Sequence, residues 1–149
     1  IGSDHRGFAL KAHLNTWLTR EGKHVVDCGN VKLDAHDDYP DYAIAVAQNI
    51  EDHHNKAIGI LICGSGIGMS MTANKFPHIR AFVGTDPVQA QMAVEHDNCN
   101  VLCLSSDAAM AEYEYEQIVR HFLNTEFTGE ERHIRRLAKV SQLVKNLNN

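Results

Sequence analysis

Short apolar runs alternate with amphipathic stretches along the whole chain. Ile1-Gly2-Ser3-Asp4 reads as the tail of a first strand that ends in polar residues. Across residues 8–18, Leu10, Leu14, Trp17 and Leu18 recur at helical spacing, and Gly22 stops the helix. Residues 24–29 predict a short second strand closed by Gly29, and residues 30–38 a polar loop. Pro40 then opens a helix carrying Tyr42, Ile44, Ala45, Ala47 and Ile50. Residues 57–63 form a continuous apolar run, as in a central parallel strand covered on both faces. A helix at 66–74, a strand at 79–84, a helix at 87–95, a strand at 100–104 and a helix at 108–123 complete the alternation.

Strict strand–helix alternation implies parallel crossover units. The expected fold is a single-domain, doubly wound (Rossmann-like) α/β/α sandwich over residues 1–149, with a five-stranded parallel sheet. Ligands of such sheets gather beyond the carboxyl ends of the strands. The polar residues expected there are Asp4 and His5, Cys63 and Ser65, and His96 and Asp97 just before the fifth strand. After a break at Thr128-Gly129, residues 131–149 place Ile134, Leu137, Val140, Val144 and Leu147 at helical intervals. This C-terminal helical arm needs a surface to cover, on its own domain or on a partner subunit.

Composition narrows the function. A chain of 149 residues, 44% hydrophobic and 22% charged, is that of one soluble globular domain. A formal charge of −5 argues against a nucleic-acid surface, whereas the local cluster of Arg132, Arg135, Arg136 and Lys139 suits a small anionic ligand. Cysteines 28, 63, 99 and 103 lack Cys-x-x-Cys spacing, and no signal peptide is visible, so they read as reduced thiols of a cytoplasmic protein. No apolar run approaches the ~20 residues that span a bilayer. The chain opens at Ile1 inside an expected strand, so a few preceding residues are expected.

The chemistry concentrates at Cys63-Gly64-Ser65-Gly66-Ile67-Gly68. A thiol at a strand end, beside the free N–H groups of a helix start, is both a candidate base and part of an oxyanion cradle. Taken singly, the glycine turn is also a plain tight connection, and a cysteine is more often a small buried hydrophobe. A dinucleotide site is a weaker reading, since the turn follows the third strand rather than the first. A cysteine phosphatase is unlike this stretch, because Met69 stands where its phosphate-binding arginine is needed.

Other polar groups have two readings each. Asp4 fits a helix cap, which leaves the adjacent His5-Arg6 pair unexplained. His96 suits a helix C-terminus, or serves as an acid beside Asp97. Arg132 and Arg136, at i and i+4, form either a solvated basic face or a phosphate grip at a helix start. His53-His54 near Asp52, and His36 near Asp34, Asp37 and Asp38, lack metal-site spacing and read as surface histidines.

Together, Gly2-Ser3-Asp4-His5-x-Gly7, Asp38-Tyr39-Pro40-x-Tyr42-Ala43, Ile62-Cys63-Gly64-Ser65-Gly66-Ile67-Gly68, Ala73-Asn74-Lys75, Ile79-Arg80-Ala81, Glu95-His96-x-x-x-Asn100-Val101 and Arg132-His133-x-x-Arg136 resemble ribose-5-phosphate isomerase type B. That family also contains isomerases of six-carbon sugar phosphates. The resemblance implies that Cys63 moves a proton between carbons 1 and 2 of the open-chain sugar. It implies that the N–H groups of Gly64, Ser65, Gly66, Ile67 and Gly68 hold the enediolate, with Ser65 where the family often has threonine. His96, assisted by Asp4, would open the ring; His5, Arg132, His133 and Arg136 would grip the phosphate; Tyr39 would line the sugar pocket.

The resemblance further implies no cofactor and no metal, and a homodimer or homotetramer with sites at the dimer interface. Nucleic acid and membrane are not expected partners. Asp97 stands where asparagine is common, adding charge near the sugar oxygens, and Asp107 where many relatives place an arginine. Both departures bear on the substrate, leaving a six-carbon aldose 6-phosphate isomerase or a non-catalytic sugar-phosphate binding module as alternatives.

Overall fold

The computed structural model describes residues 1–53 and 56–147. In chain order the elements are β1 (Gly2–Ser3), α1 (Phe8–Arg20), α2 (Tyr39–Asp52), β2 (Gly59–Cys63), α3 (Ile67–Ala73), β3 (Ala81–Val83), α4 (Pro87–Asp97), β4 (Val101–Ser105), α5 (Glu112–Asn124) and α6 (Glu131–Leu147). The strands pair in parallel in the order β1-β2-β4-β3, with Ser3 opposite Ile62, Cys63 opposite Ser105 and Val83 opposite Cys103.

β2 is buried throughout and feeds both faces of the sheet. Ile60 and Ile62 join Leu14 and Leu18 of α1, Ala90 and Val94 of α4, and Ile118 and Phe122 of α5 in one apolar layer. Leu61 and Cys63 join Val46 and Ile50 of α2 and Met69 and Ala73 of α3 in the other. The period-2 alternation of a strand makes this division and places the Cys63 side chain on the α2–α3 side.

The sheet has four strands rather than the expected five. Residues 24–28 do run beside β1: Ile1 N–H donates to Val26 O at 2.8 Å, and Cys28 N–H donates to Ile1 O at 2.8 Å. Both bonds fall on Ile1, and this segment is not among the four strands of the sheet. Val26, 36% exposed, does not join the core. β3 is shorter than the expected 79–84, because the Asn100 side chain takes the Arg80 N–H at 2.8 Å in place of a strand partner. Likewise α5 begins at Glu112, where the Glu114 carboxylate accepts the Ala111 N–H at 2.7 Å and caps the helix start.

Residues 131–147 form the expected helical arm, packed on α4, with the apolar Ile134, Val140 and Leu143 left exposed. The side chains of Val144 and Leu147, and residues 148–149 of that arm, lie outside the described residues.

The periodicity of α1 conceals one charged residue. Lys11 is buried beside Leu14, and its Nζ bonds both Asp27 oxygens, at 2.8 and 2.6 Å, and Asn30 O at 3.0 Å. Burial raises the Asp27 pKa, but the Lys11 bond and the Gly29 N–H outweigh it and hold the carboxyl below its ordinary 3.8. A depressed folded value means that the pair's contribution is complete above pH 3.8 and lost as pH falls through the folded value. Replacing Lys11 with Met leaves Asp27 with only the Gly29 N–H and the Asn15 amide as donors and is expected to cost about 2 kcal/mol in denaturant unfolding at neutral pH. In acid, below the folded value, parent and variant should converge.

Candidate active site

Three strand ends and one loop meet at the carboxyl pole of the sheet. Cys63 closes β2, 5% exposed, and its Sγ accepts the Gly66 N–H at 3.2 Å. Gly66 caps α3 at φ +75°, a left-handed conformation that a side chain resists. A Cβ there would sit 3.2 Å from the Leu104 carbonyl carbon and from Val83. This conformation folds the loop back so that its N–H points at the thiol. Intrahelical bonding begins with Ser70 N–H on Gly66 O at 3.1 Å, so the N–H groups of the first helical turn precede it.

The turn after β4 braces this loop from behind. Ser106 N–H and Oγ bond Cys63 O at 2.9 and 3.1 Å, while Ser105 Oγ and Asp107 N–H bond Gly64 O at 2.6 and 3.0 Å. With those carbonyls engaged from the β4 side, the peptide plane after Cys63 is fixed. Over Gly64 lies the Arg6–Asp107 ion pair, with Arg6 Nε 2.8 Å from where a Cβ would stand. A cation therefore borders the thiol loop although position 107 carries a carboxylate, an arrangement that residue types alone did not suggest. The Tyr39 ring, part of the sugar pocket expected above, lies against Gly68.

From β1, Asp4 is buried and its Oδ1 accepts the N–H groups of Arg6 and Gly7 at 3.0 and 3.1 Å. These are the bonds of the plain capping reading. His5 is tied to Asp37, whose Oδ1 takes the His5 N–H at 3.0 Å and lies 2.7 Å from its Nδ1. Asp37 Oδ2 accepts from the Tyr42 hydroxyl at 3.0 Å and the Asn30 amide at 3.2 Å. Burial raises the Asp37 pKa, yet the His5 and Tyr42 bonds bring it below its ordinary value; Tyr42 is pushed up to about 12 by burial and by Asp37. Sequence reasoning treated Asp37 as a loop carboxylate beside a surface histidine. Nothing local marks it otherwise, because its partner lies 32 residues away.

The expected meeting of His96 and Asp97 with Cys63 does not occur within one chain. A helix after a parallel strand runs back toward the amino ends, so the last turn of α4 stands at the opposite pole. The neighbouring bonds agree: Gly59 N–H, at the start of β2, donates to Asn100 O at 2.9 Å. The five residues of β2 separate the two poles by about 13 Å along the strand.

At that amino pole His96 stacks on His133, with ring centroids 4.7 Å apart and planes 5° from parallel. His133 was expected to face a phosphate. Instead its ring is 3% exposed beneath His96, with Nε2 lacking a hydrogen-bond partner and 3.9 Å from Glu130. Arg132 bonds Glu130 at 2.8 Å, and Arg136 is exposed. Exposed Asp97 borders a cavity of about 700 Å³ that α6 roofs with Ile134 and Leu137. The chain thus carries two separate clusters, a thiol and amide loop at one pole and a histidine–arginine cluster at the other.

Two of the other thiols, Cys99 and Cys103, are poor bases. Burial pushes Cys103 up, and burial together with Asp97 pushes Cys99 up to about 12. All four cysteines are free. Among the described residues no cluster of His, Cys, Asp and Glu could hold a metal ion; His36 and His53 are exposed, and His54 lies outside the described residues.

A parallel α/β sheet with a thiol at the mouth of an amide loop, and basic side chains on a terminal helix, defines a protein suited to proton transfer on a small anionic substrate. Sequence and structure comparisons specify the class. The ribose/galactose isomerase family profile matches residues 1–140, and the chain belongs to that family. It is 36% identical over 148 residues to ribose-5-phosphate isomerase B of Escherichia coli K12, covering 99% of this chain and 97% of the relative. The crystal structure of ribose-5-phosphate isomerase B from Mycoplasma genitalium with bound ribulose-5-phosphate superposes with a TM-score of 0.90 at 42% identity, over 97% of this chain and 93% of that one. The enzyme from Clostridium thermocellum gives 0.91 at 36% identity, over 98% and 96%.

The Gly66 conformation yields a direct test. Gly66→Ala is expected to fold but lose about 1–2 kcal/mol of stability, read as a lower Tm, from its left-handed backbone. Isomerase turnover should fall further than that loss explains, since relaxation of φ moves the N–H away from Cys63.

Proposed function

We propose that this chain interconverts ribose 5-phosphate and ribulose 5-phosphate, an aldose–ketose isomerisation within carbohydrate metabolism. The single observation that carries the residue roles is Cys63 at the end of β2, with the Gly66 N–H 3.2 Å from its sulfur. In the open-chain aldose, the Cys63 thiolate takes the proton from carbon 2 and the electron pair moves onto the carbonyl oxygen as an enediolate. The amide groups from Gly64 to Gly68 stabilise that oxygen, a contribution of about 3–4 kcal/mol per aligned donor in comparable sites. Return of the same proton to carbon 1, with proton exchange between the oxygens, gives the ketose and regenerates the thiolate. No atoms are gained or lost, and no cofactor enters the balance.

Opening of the furanose ring needs an acid–base group beside the ring oxygen, and we assign it to His96. A lone chain holds His96 at the wrong pole, so the proposed site joins the carboxyl pole of one subunit to the amino pole of a second copy. The exposed apolar residues of α6, together with Ile67 and Met71 on α3, supply surface for that contact. In the assembled site His5 from one subunit and Arg132 and Arg136 from the other grip the phosphate, while His133 steadies His96 from below. Four free thiols suit a reducing, cytoplasmic setting.

Two measurements test this reading. Cys63→Ala is expected to lose at least about 10³-fold in kcat on ribose 5-phosphate while retaining binding. Turnover near that of the parent removes Cys63 from the base role, and a faster rate on a six-carbon aldose 6-phosphate reassigns the substrate. Mixing then probes the shared site. Cys63→Ala and His96→Ala, each inactive alone, should recover about one quarter of parental activity after co-refolding, since half the dimers are hybrids with one intact site of two. No recovery on mixing means that both residues act within one chain, whereas activity in His96→Ala alone means that His96 is dispensable.

A further inference from the structure

We propose that Asp37 is the positioning residue that sets His5 for the phosphate end of the substrate, an inference that rests on the isomerase reading above. Four donors converge on this carboxylate: the His5 N–H and Nδ1 on one oxygen, the Tyr42 hydroxyl and the Asn30 amide on the other. Its side chain is 6% exposed, while that of His5 is 35% exposed. The buried group is thus fully engaged by the protein, and the open group is the one left to meet a ligand.

Chemistry follows from the acceptor. A carboxylate only accepts, so the bond at 2.7 Å places a proton on His5 Nδ1 and leaves Nε2 as the free ring nitrogen. To donate to phosphate, Nε2 must carry a second proton. The double hold of Asp37 on the His5 backbone and ring fixes where Nε2 points. Two charged groups beside His5 in the chain are already engaged: Asp4 by the N–H groups of Arg6 and Gly7, and Arg6 by Asp107.

Asp37 itself is anchored to the core. Lys11 Nζ, buried under α1, bonds Asn30 O at 3.0 Å, and the side chain of the same Asn30 reaches Asp37. A hydrogen-bonded link therefore runs from α1 through Asn30 and Asp37 to His5. A loop clip alone would need only the Tyr42 and Asn30 bonds. The doubled bond to His5 is what assigns Asp37 to the site.

Asp37→Asn keeps shape and removes charge. It is expected to raise KM for ribose 5-phosphate about tenfold, with kcat within about twofold of the parent. The Kd for inorganic phosphate, measured by calorimetry, should rise in parallel, and Asp37→Glu should restore part of both. Tyr42→Phe removes one bond from the far oxygen and both His5 bonds survive; it should lower Tm yet leave KM and phosphate affinity within about twofold. Unchanged KM and phosphate Kd in Asp37→Asn overturns the inference, as does a fall in kcat at constant KM. An inactive parent overturns the isomerase reading instead, and the phosphate titrations still decide whether Asp37 governs anion binding at His5.

Discussion

Polarity of the parallel sheet is the constraint on which the rest depends. Every strand delivers its last residue to one pole, and every return helix delivers its last turn to the other. Cys63 at the end of β2 and His96 at the end of α4 therefore stand apart in one chain. The thiol loop and the histidine–arginine cluster thus occupy opposite ends of a small domain. The terminal helix presents Ile134, Val140 and Leu143 to solvent.

Around the thiol, rigidity comes from backbone hydrogen bonds more than from charge. Ser105, Ser106 and Asp107 bind the Cys63 and Gly64 carbonyls, and a left-handed Gly66 turns one N–H toward the sulfur. Amides fixed in this way need no reorganisation as charge develops on a substrate oxygen, which is why such loops recur where enediolates form. The thiols of Cys99 and Cys103, lacking such a loop and raised by burial, stay neutral and pack.

Charge does its work one layer out. Lys11 organises residues 27–30, Asp37 organises His5, and the Arg6–Asp107 pair borders Gly64. The carboxylate at position 107 reads in the sequence as a departure that bears on the substrate. Its pairing with Arg6 keeps a guanidinium at the mouth of the site and changes what that substitution means.

Much of the fold was legible in the residues. Helical spacing located α1, α2, α4 and α6, and the apolar run ending at Cys63 located β2, because burial on a fixed face imposes a period that a sequence records. The strand expected at residues 24–29 is not part of the described sheet, and its pairing with Ile1 is a long-range relation that no local pattern records. The Cys63-to-Gly68 loop was legible too, as its requirements are local: a thiol, a turn and residues without side chains. Which pole His96 occupies, that His133 stacks beneath it, and that Asp37 holds His5 were decided only by tertiary structure. Those relations join residues far apart in the chain, and no local pattern of residue types encodes a distance across the fold.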